Sequence, residues 1–105
     1  MNNDLALTES TYYILLSLYS AQHGYGIMQQ TEALSHGRVR LAPGTLYGAL
    51  GSMQDKGWIA QLPVEDGSRK KEYRLTDLGL DVLANEIERL RELVENGDAV
   101  LEGDR

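Results

Sequence analysis

The sequence predicts a mainly α fold with one small β-hairpin, and three observations lead there. Four segments carry apolar residues at helical spacing, and between the third and fourth the period changes to alternation. Turn and cap residues also fall where such elements must end, notably Gly24, Gly37, Gly57 and Asp66-Gly67. A length of 105 residues bounds the chain to one small domain with a modest core.

The first helix opens at Thr8, a suitable N-cap, with Glu9 complementing the dipole. Tyr12, Leu15, Leu16 and Tyr19 follow the helical period, and Ile14 and Leu18 widen the apolar arc. A helix apolar around most of its circumference is buried on more than one side, and in so small a chain the second side is expected to meet a partner subunit. Ala21-Gln-His-Gly24 reads as the closing turn. A second helix is expected from about Tyr25 to Leu34 with Tyr25, Met28 and Leu34 inward, broken by Ser35-His-Gly37. His36 stands four residues after Glu32 and within its reach, although a loop histidine without a chemical role is the default.

The third helix, from Pro43 to Gly57, organises the chain. Pro43 suits a first helical position, Leu46, Ala49, Leu50 and Met53 form a buried stripe, and Gly57 sits where a left-handed C-cap is needed. Helix, short loop, helix is helix-turn-helix arithmetic. The opposite face is small and uncharged: Gly44, Thr45, Tyr47, Gly48, Gly51 and Ser52. Exposed helix faces normally carry Glu and Lys, and each glycine costs about 1 kcal/mol relative to Ala. Either these are defects tolerated by a well-packed helix, or the face is kept smooth for contact with another molecule, such as the floor of a DNA groove.

Beyond Gly57, Trp58-Ile-Ala-Gln-Leu62 reads as a short strand and Arg69–Leu75 as the returning strand, with Tyr73 and Leu75 on one face and Glu72 and Arg74 on the other. The intervening Asp66-Gly67 is a hairpin signal. Arg69, Lys70 and Lys71 cluster near the tip. Such cations protect an edge strand from aggregation, but beside a glycine-smoothed helix they also suit a phosphate clamp. Thr76 caps a last helix in which Leu80, Leu83, Ile87, Leu90 and Val94 step by three and four, a heptad seam longer than one small domain needs to bury. Self-association through this seam and the first helix is the economical account. Glu86, Glu88, Arg89, Arg91 and Glu92 are expected around it as solvated charges, Asn96-Gly97 as its end, and residues 98–105 as a disordered tail.

Charge is segregated. The net formal charge is −6, yet residues 38–74 carry seven cations against four anions, while residues 75–105 carry three against nine. One anion-facing surface on an otherwise acidic chain fits that division. With no cysteine and only two histidines, neither a disulfide nor a metal site is expected. No cofactor and no enzymatic activity are expected either, because no nucleophile–base pair or phosphate loop is present. No apolar run reaches the length of a membrane span, and Met1–Asp4 lacks a basic leader, so a cytoplasmic protein without membrane contact is expected.

His23-Gly-Tyr-Gly-Ile27, Leu41-Ala-Pro-Gly-Thr-Leu-Tyr-Gly-Ala-Leu50, Lys56-Gly-Trp-Ile59 and Lys71-Glu-Tyr-Arg-Leu-Thr-Asp-Leu-Gly79 resemble, in this order, the PadR family of winged-helix transcriptional regulators. The resemblance spans about Leu7 to Leu93. It implies a winged helix-turn-helix DNA-binding domain over residues 1–75 and a C-terminal dimerisation helix over 76–97, as in the short subfamily. It implies a recognition helix in the major groove and a wing along the backbone of operator DNA. A homodimeric repressor of an inverted repeat, relieved by a small molecule at the dimer interface and nucleoid-associated when bound, follows from the same likeness. On this reading Gly44, Thr45, Tyr47 and Gly48 face DNA, Arg69, Lys70 and Lys71 clamp it from the wing, and Arg38 and Arg40 reach flanking phosphates. Leu7, Ile14, Leu18, Leu80, Leu83, Ile87, Leu90 and Val94 would form the dimer interface. The chain departs from the family in placing Ala42 where a hydrogen-bonding cap is common. Its only tryptophan, Trp58, lies outside the last helix, so a ligand-stacking role is not carried over. The alternative is a winged-helix protein-interaction module that does not touch DNA.

Overall fold

The computed structural model describes residues 6–64 and 70–103. Its elements, in order, are α1 (Glu9–Ser17), β1 (Gln22–His23), α2 (Gly24–Leu34), α3 (Pro43–Asp55), β2 (Ile59–Gln61), β3 (Glu72–Leu75) and α4 (Asp77–Glu102). The strands form an antiparallel sheet in the order β1-β3-β2, pairing Gln22 with Tyr73 and Ile59 with Leu75. This is a mainly helical winged helix with a long C-terminal helix, as the sequence predicts. Strand β1 lies where the sequence predicts a turn. Two residues are too short to display alternation, and the edge of β3 supplies the pairing that makes them a strand.

Ile14, Leu15, Leu18, Ile27, Leu46, Leu50, Met53, Ile59, Tyr73 and Leu83 form the core. Helix α3 buries the expected stripe and ends as expected. Gly57 has φ +78°, its N–H donates to the Gln54 carbonyl, and the Trp58 N–H donates to the Met53 carbonyl. Thr8 and Thr76 both cap as expected, accepting from the Thr11 and Gly79 N–H groups. Helix α2 is rotated from the expected phase. Ile27, Thr31 and Gly24 are its buried residues, whereas Tyr25 and Leu34 are exposed. The period is legible there, but a helix of only 11 residues leaves the choice of face to its neighbours.

The apolar surplus of α1 is consumed inside the chain. Helices α2 and α4 pack on it, and the Leu75 N–H donates to the Leu18 carbonyl. Ile14, Leu18 and Leu83, expected at a dimer interface, are at most 4% exposed in the single chain, so they have no surface to offer a partner. Helix α4 also departs from expectation at its far end. It runs through Asn96-Gly97 to Glu102, covering residues read as a tail. One helical glycine costs only about 1 kcal/mol, which does not stop a propagating helix. Its first turns belong to the common core through Gly79 and Leu83, so the described residues before Thr76 and the start of α4 are one packed unit.

The start of α4 is locked to the α3–β2 turn. The Thr76 hydroxyl donates to the Gly57 carbonyl at 2.6 Å, and the Thr76 N–H donates to the Trp58 carbonyl at 3.0 Å. Gly79 lies against that same Trp58 carbonyl, where a β-carbon would collide with it. Glu86, expected as a solvated charge, is 5% exposed and paired with Arg89 through contacts of 2.8 and 2.7 Å.

Candidate nucleic-acid interface

Helix α3 opens at Ala42 without a side-chain cap, and Pro43 occupies its first turn. Its buried stripe turns Gly44, Thr45, Tyr47, Gly48 and Ser52 to the exposed side. A β-carbon added at Gly44, Gly48 or Gly51 would meet nothing within 4 Å. No packing demand inside the chain therefore explains these glycines, and the face is smooth toward the exterior. Tyr47 stands above it, 51% exposed.

Beside this face lies a cleft of about 590 Å³ lined by His23, Gly24, Tyr25, Tyr47, Lys70 and Lys71. It gathers α3, the first turn of α2 and the base of the wing. Lys70 and Lys71 are both exposed just before β3. Arg69 and the Asp66-Gly67 turn lie outside the described residues. Burial, with a smaller contribution from Tyr47, raises the Tyr73 phenol above its ordinary value.

Arg38 and Arg40 lie beside carboxylates. The Arg38 guanidinium donates twice to Glu9, at 2.8 and 3.1 Å, and Arg40 lies 3.5 Å from Glu32. The hydrogen bond to Arg38 holds the Glu9 carboxyl below its ordinary range, and Glu9 raises Arg38. Both pairs are solvent-exposed and therefore weak. The structure thus brings Gly44, Thr45, Tyr47 and Gly48 together with Lys70 and Lys71, and places Arg38 and Arg40 beside acidic partners.

Sequence reasoning missed His23, Gly24 and Tyr25 as walls of this cleft. The available signal was an N-cap histidine followed by glycines at both Gly24 and Gly26, inside one helical turn. His23 does cap α2, its Nδ1 accepting from the Gly26 N–H at 3.2 Å.

The model of the Transcriptional regulator PadR-like family matches residues 14–85, which include the smooth helix, the lysines and the α4 lock. The chain belongs to the PadR-like family of transcriptional regulators. Solved PadR structures share its fold. A PadR family transcription regulator from Clostridium difficile R20291 superposes with a TM-score of 0.74 at 24% identity, over 90% of this chain and 99% of that one. A PadR family transcriptional regulator from Eggerthella lenta gives 0.71 at 25% identity, over 90% and 82%. Bacillus subtilis PadR, solved in complex with operator DNA, gives 0.63 at 26% identity, over 73% of this chain and 45% of that one. A comparison with curated proteins finds none that matches. No helix among the described residues is long and apolar enough to cross a membrane.

Proposed function

We propose that this PadR-like chain is a sequence-specific DNA-binding regulator that acts as a homodimeric cytoplasmic repressor on an inverted-repeat operator. The smooth face of α3 carries the reading: glycines with open space above them, flanked by Thr45, Tyr47, Lys70 and Lys71. Such a face admits close approach to a groove floor, while hydroxyl and ammonium groups at its rim meet phosphates. The operator complex of Bacillus subtilis PadR supports the same partner class.

The far half of α4 supports the dimer. Residues 91–103 are all exposed, although an unsupported helix of that length is marginal in water. Leu80 and Val94 keep part of the expected seam open, with Leu7, Ile87 and Leu90 half-buried beside it, and Leu93, Val100 and Leu101 extend it. Pairing with a second copy would cover this stripe. A groove of about 930 Å³ along α4, lined by Leu7, Trp58, Val82, Glu86 and Arg89 among others, is where we place a small-molecule effector.

Selection of genomic fragments by the purified protein, beside a Lys70→Glu/Lys71→Glu variant, tests the function. Enrichment of an inverted repeat that the variant loses is the expected result. Each phosphate contact should also steepen the log–log salt dependence by about 0.9. A folded dimer that enriches nothing would leave the protein-interaction alternative in its place.

A further inference from the structure

We propose that Gly24 is a positioning residue for Tyr47: its missing side chain seats the tyrosine ring against the first turn of α2 and aims the hydroxyl along the Lys70–Lys71 cleft. The inference deepens the DNA-binding reading and rests on it.

Gly24 is fully buried at the first position of α2. A β-carbon there would collide with the Tyr47 hydroxyl oxygen and lie 2.9 Å from Cζ and 3.4 Å from Cε1. Backbone conformation does not demand this glycine. Among the described residues positive φ falls at His36, Gly37 and Gly57, and Gly24 is not one of them. Nor does helix propensity favour it, since alanine is the better helix former. What remains is the contact with Tyr47. That contact is not ordinary core packing either, because the tyrosine stays half exposed at the rim of the recognition face.

The seat is anchored to the wing. His23 caps α2 through the Gly26 N–H and pairs with Glu72 on β3, directly after Lys70 and Lys71. The ring, its seat and the two lysines therefore share one small framework joining α3, α2 and the sheet. A tyrosine hydroxyl held in one place presents a phosphate oxygen with a fixed donor. The same hydroxyl on a freely rotating ring must be ordered at the moment of binding.

The test is a double-mutant cycle on operator binding by Gly24→Ala, Tyr47→Ala and the combined variant. The colliding atoms are the far end of a side chain, so the added methyl should swing the ring aside and leave the fold intact. Gly24→Ala should retain its melting temperature and lose affinity by about tenfold, the loss of one hydrogen bond to a charged group. Tyr47→Ala should lose as much, and the combined variant no more than either. NMR contacts between the Tyr47 ring and the Gly24 α-protons should be present in the unsubstituted protein and absent from the Tyr47 ring in Gly24→Ala. Unchanged affinity in Gly24→Ala, losses that multiply, or a Gly24→Ala chain that fails to fold would each overturn the positioning role. Failure of the unsubstituted protein to bind any fragment would instead remove the DNA-binding reading itself.

Discussion

Replacing Gly48 and Gly51 by alanine should make the protein more stable and a poorer DNA binder. Neither position has an atom within 4 Å of where a β-carbon would stand, so the new methyl groups meet no strain inside the chain. Each glycine in the body of a helix costs about 1 kcal/mol relative to alanine, hence about 2 kcal/mol for the pair. For a chain of this size that corresponds to a rise of about 8–16 °C in melting temperature. In the proposed DNA complex the same methyl groups would intrude into the contact between α3 and the groove. Overpacking typically costs about 1–3 kcal/mol, roughly 5- to 150-fold in Kd. Thermal unfolding by circular dichroism and operator titration at fixed salt read the two effects on one sample. A stability gain with undiminished affinity would refute the reasoning, because the smooth face would then serve no groove. A stability loss would show that α3 is not open above its glycines.

Two further predictions concern α4. Thr76→Ala should lower stability by about 1–2 kcal/mol, since it removes both the cap and the bond to the Gly57 carbonyl; Gly79→Ala should cost about 3 kcal/mol by driving a methyl into the Trp58 carbonyl. Chemical denaturation of both variants checks the order, which reverses if the lock is only a cap. Glu86 sets an acid limit: the Arg89 hydrogen bonds hold its folded-state pKa below the unfolded value. Its carboxylate therefore contributes stability that is present above the ordinary carboxylate range and lost as pH falls through the lowered value. Glu86→Gln should flatten that acid limb in melting temperature against pH, while Glu9→Gln, on an exposed pair, should leave it nearly as it was. Equal flattening by both would count against the buried pair.

What was legible in the sequence followed from local chemistry. Thr8, Pro43, Gly57 and Thr76 mark element ends because capping and φ preferences act within a few residues. The α3 stripe was legible because its other face is so unlike it. Tyr25 and Leu34 misled because either face of α2 carries enough apolar surface, and the choice is made by α1 and α3. Glu86 misled because a carboxylate at helical surface spacing reads as solvated until Arg89 and the Leu7 N–H are seen converging on it. The cleft was half legible: Tyr47, Lys70 and Lys71 advertise themselves by type, while Gly24 is defined only by what its absent side chain would strike.

The acidic total and the proposed polyanion partner are reconciled by distance and pairing. The described arginines before α3 lie beside carboxylates, Arg38 by Glu9 and Arg40 by Glu32, and the wing adds Lys70 and Lys71 to the cleft beside the α3 face. The acidic surplus sits on α4, where Glu92, Glu95, Asp98 and Glu102 follow the last buried residue, Glu86. At 1.5 Å per residue these charges stand roughly 24–39 Å along the helix from Thr76. That is more than two Debye lengths at 0.1 M salt, about 10 Å each. Charges that far apart act almost independently at physiological ionic strength. Lowering the salt lengthens the reach of both, so attraction at the wing and repulsion from α4 grow together. The salt slope of operator binding should accordingly flatten below about 0.02 M, where the Debye length passes 20 Å. Neutralising the four distal carboxylates should restore a straight line, and a line already straight in the unsubstituted protein would place the end of α4 out of electrostatic reach of the DNA.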